Sequence, residues 1–248
     1  MLLSRITRRP VTIASLGVVV LLLAVAAASI QLLNKQPSRL DYQKTKADLA
    51  AYDKTRNSYS EKMKTVGLGI SIHPDTDLSG AIKSLDSART SAKMLGTEPS
   101  IKRDKQAGKL YGAFYTKEDS LLASLETFMD SKKLYIDKLA YQCRYNVSVS
   151  EGPANVHAKL APCRTAVDSI NVTDFKDPDY KAYVMTLKKI TDQIDNAAIA
   201  NDVNETTQQL RNARTEPVPD TPHLEKVLKQ IPNTEFTALS TYIEAHAK

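Results

Sequence analysis

Glycine is scarce in this 248-residue chain and unevenly placed. Of eight glycines only Gly152 lies beyond Gly112, so the last 136 residues hold a single one. A β-rich domain needs far more glycine at its tight turns, which excludes that class for most of the chain. Proline is absent from two long stretches, 53 residues from Ser100 to Gly152 and 38 from Asp179 to Glu216. Uninterrupted helices fit such gaps, because proline inside a helix removes a hydrogen bond and clashes with the preceding turn. Histidine is equally sparse. His73, His157, His223 and His246 are scattered, and no two stand three or four apart as a helical zinc site requires. The Ser-x-x-Lys and G-x-S-x-G patterns of acyl-transfer enzymes are missing, and Gly67-Leu68-Gly69 lacks the third glycine of a dinucleotide-binding turn. Nothing here points to catalysis, and neither a metal nor an organic cofactor is expected.

Only two cysteines occur, Cys143 and Cys163. An even count in an oxidising compartment reads as a disulfide, and two cysteines without histidine partners make a poor metal site. The formal charge of +6 suggests nucleic acid at first sight. Removing Arg5, Arg8 and Arg9 from the 34 basic residues leaves 31 against 28 acidic, a net of +3 with both signs interspersed. That is solubility charge, and no nucleic-acid partner is expected.

Charge is also missing in one place where its absence is informative. From Pro10 to Asn34 no residue is charged, and Val11 to Leu33 reads VTIASLGVVVLLLAVAAASIQLL. At about 1.5 Å per residue this run reaches roughly 35 Å as a helix, enough to cross a hydrocarbon core of about 30 Å. Its few polar residues form no face. The basic tip before it favours an N-terminus held in the cytoplasm, because Lys and Arg resist translocation. The chain therefore divides into a cytoplasmic tip (1–10), a transmembrane signal anchor (11–33), a linker (34–38) and an extracytoplasmic domain (39–248). Small residues at Ala24, Ala26 and Ala28 keep open a cleaved signal peptide and a secreted product.

After Pro37 the apolar pattern is helical throughout. Tyr42, Thr45, Leu49, Tyr52, Tyr59, Met63 and Val66 alternate spacings of three and four, with Arg56 interrupting, and read as the seam of a bundle or coiled coil. A loop from Gly67 to Asp77 leads to a second helix ending before Gly96, with Leu78, Ile82, Leu85, Ala88, Ala92 and Leu95 on one face. A third helix is expected from about Arg103 to Tyr145, its stripe broken at Glu118 and Lys132. A fourth ends near Ile170, irregular at Pro162. A fifth opens at the acidic loop of Asp174, Asp177 and Asp179 and weakens from Asn201 to Thr207 before Leu210 resumes its stripe. Beyond the stretch TEPVPDTP, two short helices close the chain: Pro222 to Gln230, and Thr234 to Ala247. The fold predicted is all-α: an elongated antiparallel bundle of three to four long helices with short terminal helices packed on it. Tyrosine on the seams suits a thin core whose hydroxyls reach water.

One segment carries a resemblance. In Asp75 to Asp86, DTDLSGAIKSLD, the residues Asp75, Asp77, Ser79, Gly80 and Ile82 fill positions 1, 3, 5, 6 and 8, with Asp86 at 12. Over these twelve residues it resembles calcium loops of the EF-hand and dockerin kind, which implies oxygen ligands wrapped about an ion. Leu78 at position 4 and Pro74 in front depart from the pattern. Asp77 serves equally as the N-cap of a helix that needs no ion.

The function these observations favour is a single-pass, membrane-anchored binding or scaffolding module with a protein partner and no catalysis. The alternatives are a ligand-binding or sensory domain working with a membrane partner, and an envelope-polymer hydrolase whose site leaves no motif.

Overall fold

The computed structural model describes residues 36–68, 78–148, 150, 152–219 and 221–248. All its regular structure is helical, and no strand occurs among the described residues. Val11 to Leu33 lies outside them; within them, no helix is long and apolar enough to cross a membrane.

The helices are α1 (Arg39–Leu68), α2 (Leu78–Leu95), α3 (Pro99–Arg103), α4 (Lys105–Tyr135) with a π-helical extension Ile136–Ala140, α5 (Pro153–Ser169), α6 (Pro178–Ile199), α7 (Val203–Thr215), α8 (Thr221–Leu228) and α9 (Asn233–His246). Local chemistry explains most of the boundaries. Ser38 and Asp41 form a reciprocal capping box at the start of α1, the Ser38 amide donating to Asp41 Oδ2 at 2.7 Å and the Asp41 amide to Ser38 Oγ at 3.2 Å. Asp104, Asp177 and Asp202 accept amide hydrogen bonds at the starts of α4, α6 and α7.

Two differences from the sequence pattern stand out. The single helix expected after Asp179 is two helices folded back on each other. Asn201 adopts φ 56°, a left-handed conformation asparagine tolerates, and Asp202 then caps α7. The long third helix also ends early. Its α-helical hydrogen bonding stops at Tyr135, a π turn follows, and the chain leaves helical geometry before Cys143. Pro162, by contrast, sits inside a continuous α5.

The helices form two layers joined by α4. In the lower layer α1 and α4 run parallel: Tyr42 bonds Asp104 at one end, and Lys132 reaches the Val66 carbonyl at the other. The α2 and α9 helices run against them, with α2 tied to α4 through Arg89 to Asp119 and Glu126, and α9 to α1 through Arg56 to Asn233 and Gln43 to Ala247. The upper layer is α5, α6 and α7, an antiparallel trio crossed by Asp195 to His157 and Asp168 to Lys188. Two apolar clusters divide the core crosswise, one at the free ends of the lower layer and one running from its middle through the upper layer. One holds Tyr42, Leu49, Tyr52, Leu95, Phe114, Leu239 and Ile243; the other runs from Tyr59 and Met63 through Leu121 and Phe128 to Val184 and Leu210. Both chain ends of the described region emerge together below. Arg39 and Gln43 in the first turns of α1 donate to the Ala247 carbonyl, and Tyr42 stacks on His246.

Candidate functional site

The three charges that interrupt the apolar stripes all point inward. Arg56 is 6% exposed, Glu118 0% and Lys132 3%. Lys132 Nζ donates to the Val66 carbonyl at 3.0 Å, which satisfies a C-terminal carbonyl of α1 and opposes the negative end of its dipole. Glu118 Oε1 accepts from Tyr52 at 2.5 Å and Tyr59 at 2.8 Å. These tyrosines are seven residues apart and face the same way because two helical turns separate them. Arg56 stands between them, over the Phe236 ring at 4.5 Å, and donates to Asn233 at the start of α9. Glu118 Oε2 and Arg56 Nε have no partner among the described residues. Burial pushes the Tyr52 and Tyr59 hydroxyls far above the usual phenol range, and Glu118 adds to it, so both remain proton donors. The tyrosine hydroxyls expected to reach water instead bond inside the protein. Glu118 lies where the two apolar clusters meet, since Tyr52 belongs to one and Tyr59 to the other.

A second polar group closes the junction between the layers. His223 of α8 lies parallel on Phe128, ring centroids 5.1 Å apart, with Nε2 3.1 Å from Asp177 Oδ2 and Nδ1 on Asp179. Asp177 Oδ1 meanwhile accepts the Asp179 and Tyr180 amides, and the Asp177 amide is held by Ser131 of α4. The Asp177 hydrogen bond raises the His223 pKa against burial, and Asp179 adds to it. Burial pushes Asp177 up, but bonds from His223 and the Tyr180 amide outweigh it and leave the carboxyl below its usual value. A raised imidazole stabilises the fold fully below its unfolded value and loses that contribution as pH climbs through the folded one. A depressed carboxyl contributes above its unfolded value and loses that as pH falls. The clasp is therefore tightest between about pH 4 and 6.5. A His223→Gln variant is expected to lose about 2 kcal/mol at pH 5, a charge-assisted hydrogen bond's worth, and progressively less as the solution becomes alkaline. Thermal midpoints of both proteins across pH check this, and a difference that grows with pH contradicts it.

The upper layer carries the more accessible feature. The segment leaving α4 is held at three points. Cys143 is bonded to Cys163 of α5, with the Sγ atoms 2.04 Å apart. The Tyr145 hydroxyl lies 2.6 Å from Thr191 Oγ1. Arg214 of α7 donates to the carbonyls of Tyr145 and Val147. These anchors hold Tyr145 at φ 48°, where a bulky side chain is strained. Between this segment and α7 opens a shallow cleft of about 550 Å³, lined by Asn146, Val147, Ser148, Ser150, Thr207, Arg211 and Arg214. Among the described residues its lining holds two guanidinium groups and no carboxylate. Ile199 and Val203, flanking the α6–α7 turn in the same layer, are exposed apolar side chains. A smaller cleft of about 230 Å³ between α1 and α2 does contain Asp48 and Glu98, but Lys44 holds both.

Placement of the calcium-loop residues is only partly described. Asp75 and Asp77 lie outside the described residues. Leu78 to Asp86 is regular α2 helix, with Leu78 packed in the core and Asp86 exposed. Ser79, Gly80, Ile82 and Asp86 thus sit on a straight helix, which does not wrap a cation as positions 5 to 12 of an EF-hand loop do. No group of three or more His, Cys, Asp or Glu side chains among the described residues could hold a metal. Sequence reasoning missed the His223 clasp, because its members are 44 and 46 residues apart in the chain; the only local signal was the capping pattern Asp177-Pro178. No family model, curated protein or solved structure matches the chain.

Proposed function

We propose that the chain is a membrane-anchored helical spacer, tethered by Val11 to Leu33 with its domain on the extracytoplasmic side, that presents its upper layer to a protein partner. The observation that carries this reading is the meeting of the α1 start and the α9 end at one pole, through Arg39, Gln43 and Ala247. A tether entering at that pole leaves the whole fold projecting away from it. From Lys105 to Ser131 along α4, and then along α6, the path is about 70 Å. The Arg211 cleft and the Ile199 and Val203 side chains belong to the projecting layer. Mixed exposed apolar and arginine surface is the composition that protein interfaces favour. A disulfide beside the cleft accords with an oxidising compartment.

The test is positional cross-linking in intact cells, with a photoreactive residue introduced at Val203 or Arg211 in the upper layer and at Lys54 midway up α1. Adducts at the first two positions and none at the third are expected. Equal adducts at all three, or none at any, refute the reading. Alkaline washing of the membranes checks the tether separately: the chain is expected to stay in the pellet.

A further inference from the structure

Basic side chains gather at the pole where the described chain begins and ends, and several of them make no salt bridge among the described residues. On α3, Ser100 is pinned to Thr45 by a 2.6 Å contact between hydroxyls and Ile101 is buried, so Lys102 and Arg103 project outward. Lys105 and Lys109 follow on the first turns of α4, and Lys248 ends the chain. None of these five is bonded to a carboxylate among the described residues. Arg39 spends its Nε on the Ala247 carbonyl. The acids of this pole are already engaged. Asp104 takes the Tyr42 and Tyr242 hydroxyls and two amides, Asp41 is held by Ser38, Glu98 by Lys44, and Glu244 by Lys46. Two of the most exposed large apolar side chains, Leu40 at 74% and Met94 at 62%, belong to the same pole. A pole whose cations outnumber its acids, with a few bare hydrocarbon side chains, is complementary to anionic lipid headgroups.

We infer that this pole rests on the membrane surface, its lysines and arginines against anionic lipid headgroups, so that the spacer stands upright instead of swinging on its tether. The inference rests on the anchored reading above. The apolar run ends at Leu33, and the linker from 34 to 38 spans at most about 18 Å fully extended, so the pole stays within about two Debye lengths of the headgroups. Lys35 in that linker adds a further charge of the same sign. A single flexible tether fixes height but not tilt; several cations spread over one face fix both.

The experiment uses the full chain reconstituted in nanodiscs of phosphatidylcholine alone, or of phosphatidylcholine mixed with phosphatidylglycerol. Lysine acylation rates are read by mass spectrometry. In anionic discs Lys102, Lys105 and Lys109 are expected to react about five-fold more slowly than in neutral ones, an effect that high salt removes, while Lys54 and Lys226 react alike in both. A variant carrying Lys102→Gln, Arg103→Gln and Lys105→Gln is expected to lose the protection of Lys109. Equal rates in the two lipids, with the chain retained in both, overturn this inference and leave the anchor standing. Failure of the chain to remain with either disc overturns the anchored reading and this inference with it.

Discussion

A Glu118→Ala variant is expected to unfold about 4 kcal/mol more easily than the wild type, the largest effect of any single polar substitution in this fold. The change strands two buried hydroxyls, Tyr52 and Tyr59, which both donate to Glu118 Oε1, and opens a void at the meeting of the two apolar clusters. For a domain of this size the loss corresponds to a fall in thermal midpoint of about 10 °C. Glu118→Gln keeps an acceptor in place and is expected to be much milder. The most informative comparison is the triple variant Glu118→Leu, Tyr52→Phe, Tyr59→Phe. Removing donors and acceptor together leaves no hydroxyl stranded, only Arg56 without the buried carboxylate near it, so it is expected to recover part of the stability lost by the single change. Denaturant unfolding monitored by circular dichroism reads all three. A triple variant weaker than Glu118→Ala refutes the account.

Opening the Cys143–Cys163 bond is expected to cost about 3 kcal/mol, because the bond closes a loop of 20 residues whose freedom returns to the unfolded chain. The consequence is also local. Cys143 fixes the segment that carries Tyr145 at φ 48° and offers the Tyr145 and Val147 carbonyls to Arg214. In a Cys143→Ala, Cys163→Ala variant, amide hydrogen exchange is therefore expected to rise across residues 143–148 and the start of α5. The lower cluster around Leu49, Phe114 and Ile243 is expected to keep its protection. Identical melting and exchange in the variant and the parent contradict this.

Much of the fold was legible because helical burial repeats. The seams from Tyr42 to Val66 and from Leu78 to Leu95 are buried as their spacing requires, apart from Ile82, which is only partly buried. Most boundaries also carried their own chemistry, from the Ser38–Asp41 box to Asp177-Pro178. Legibility stopped where a local pattern has two physical meanings. The weakened stripe after Asn201 reads equally as a frayed helix or a turn, and the left-handed Asn201 with its Asp202 cap makes it a turn. A charge inside an apolar stripe reads as a solvated exception until its partner is known. For Glu118 the partners are 59 and 66 residues away, and for Lys132 the partner is a carbonyl 66 residues away. The hydroxyls of Tyr52 and Tyr59, assigned to water by their amphipathic nature, both bond Glu118 instead.

The cationic pole shows the same division most clearly. Summed along the chain, the charge beyond the first ten residues is an unremarkable +3. Folding brings Lys102, Arg103, Lys105 and Lys248 to one end and ties up the neighbouring acids in hydrogen bonds, which no count along the chain reveals. Residue type at short spacing was enough for the helical class, the inward faces of α1 and α2, and the two cysteines available for a cross-link. Which charges are buried, which stay exposed, and which ends of the helices meet was settled by the packing of the folded chain. Those outcomes depend on distances between residues far apart in the chain, and such distances are set when the apolar faces pack.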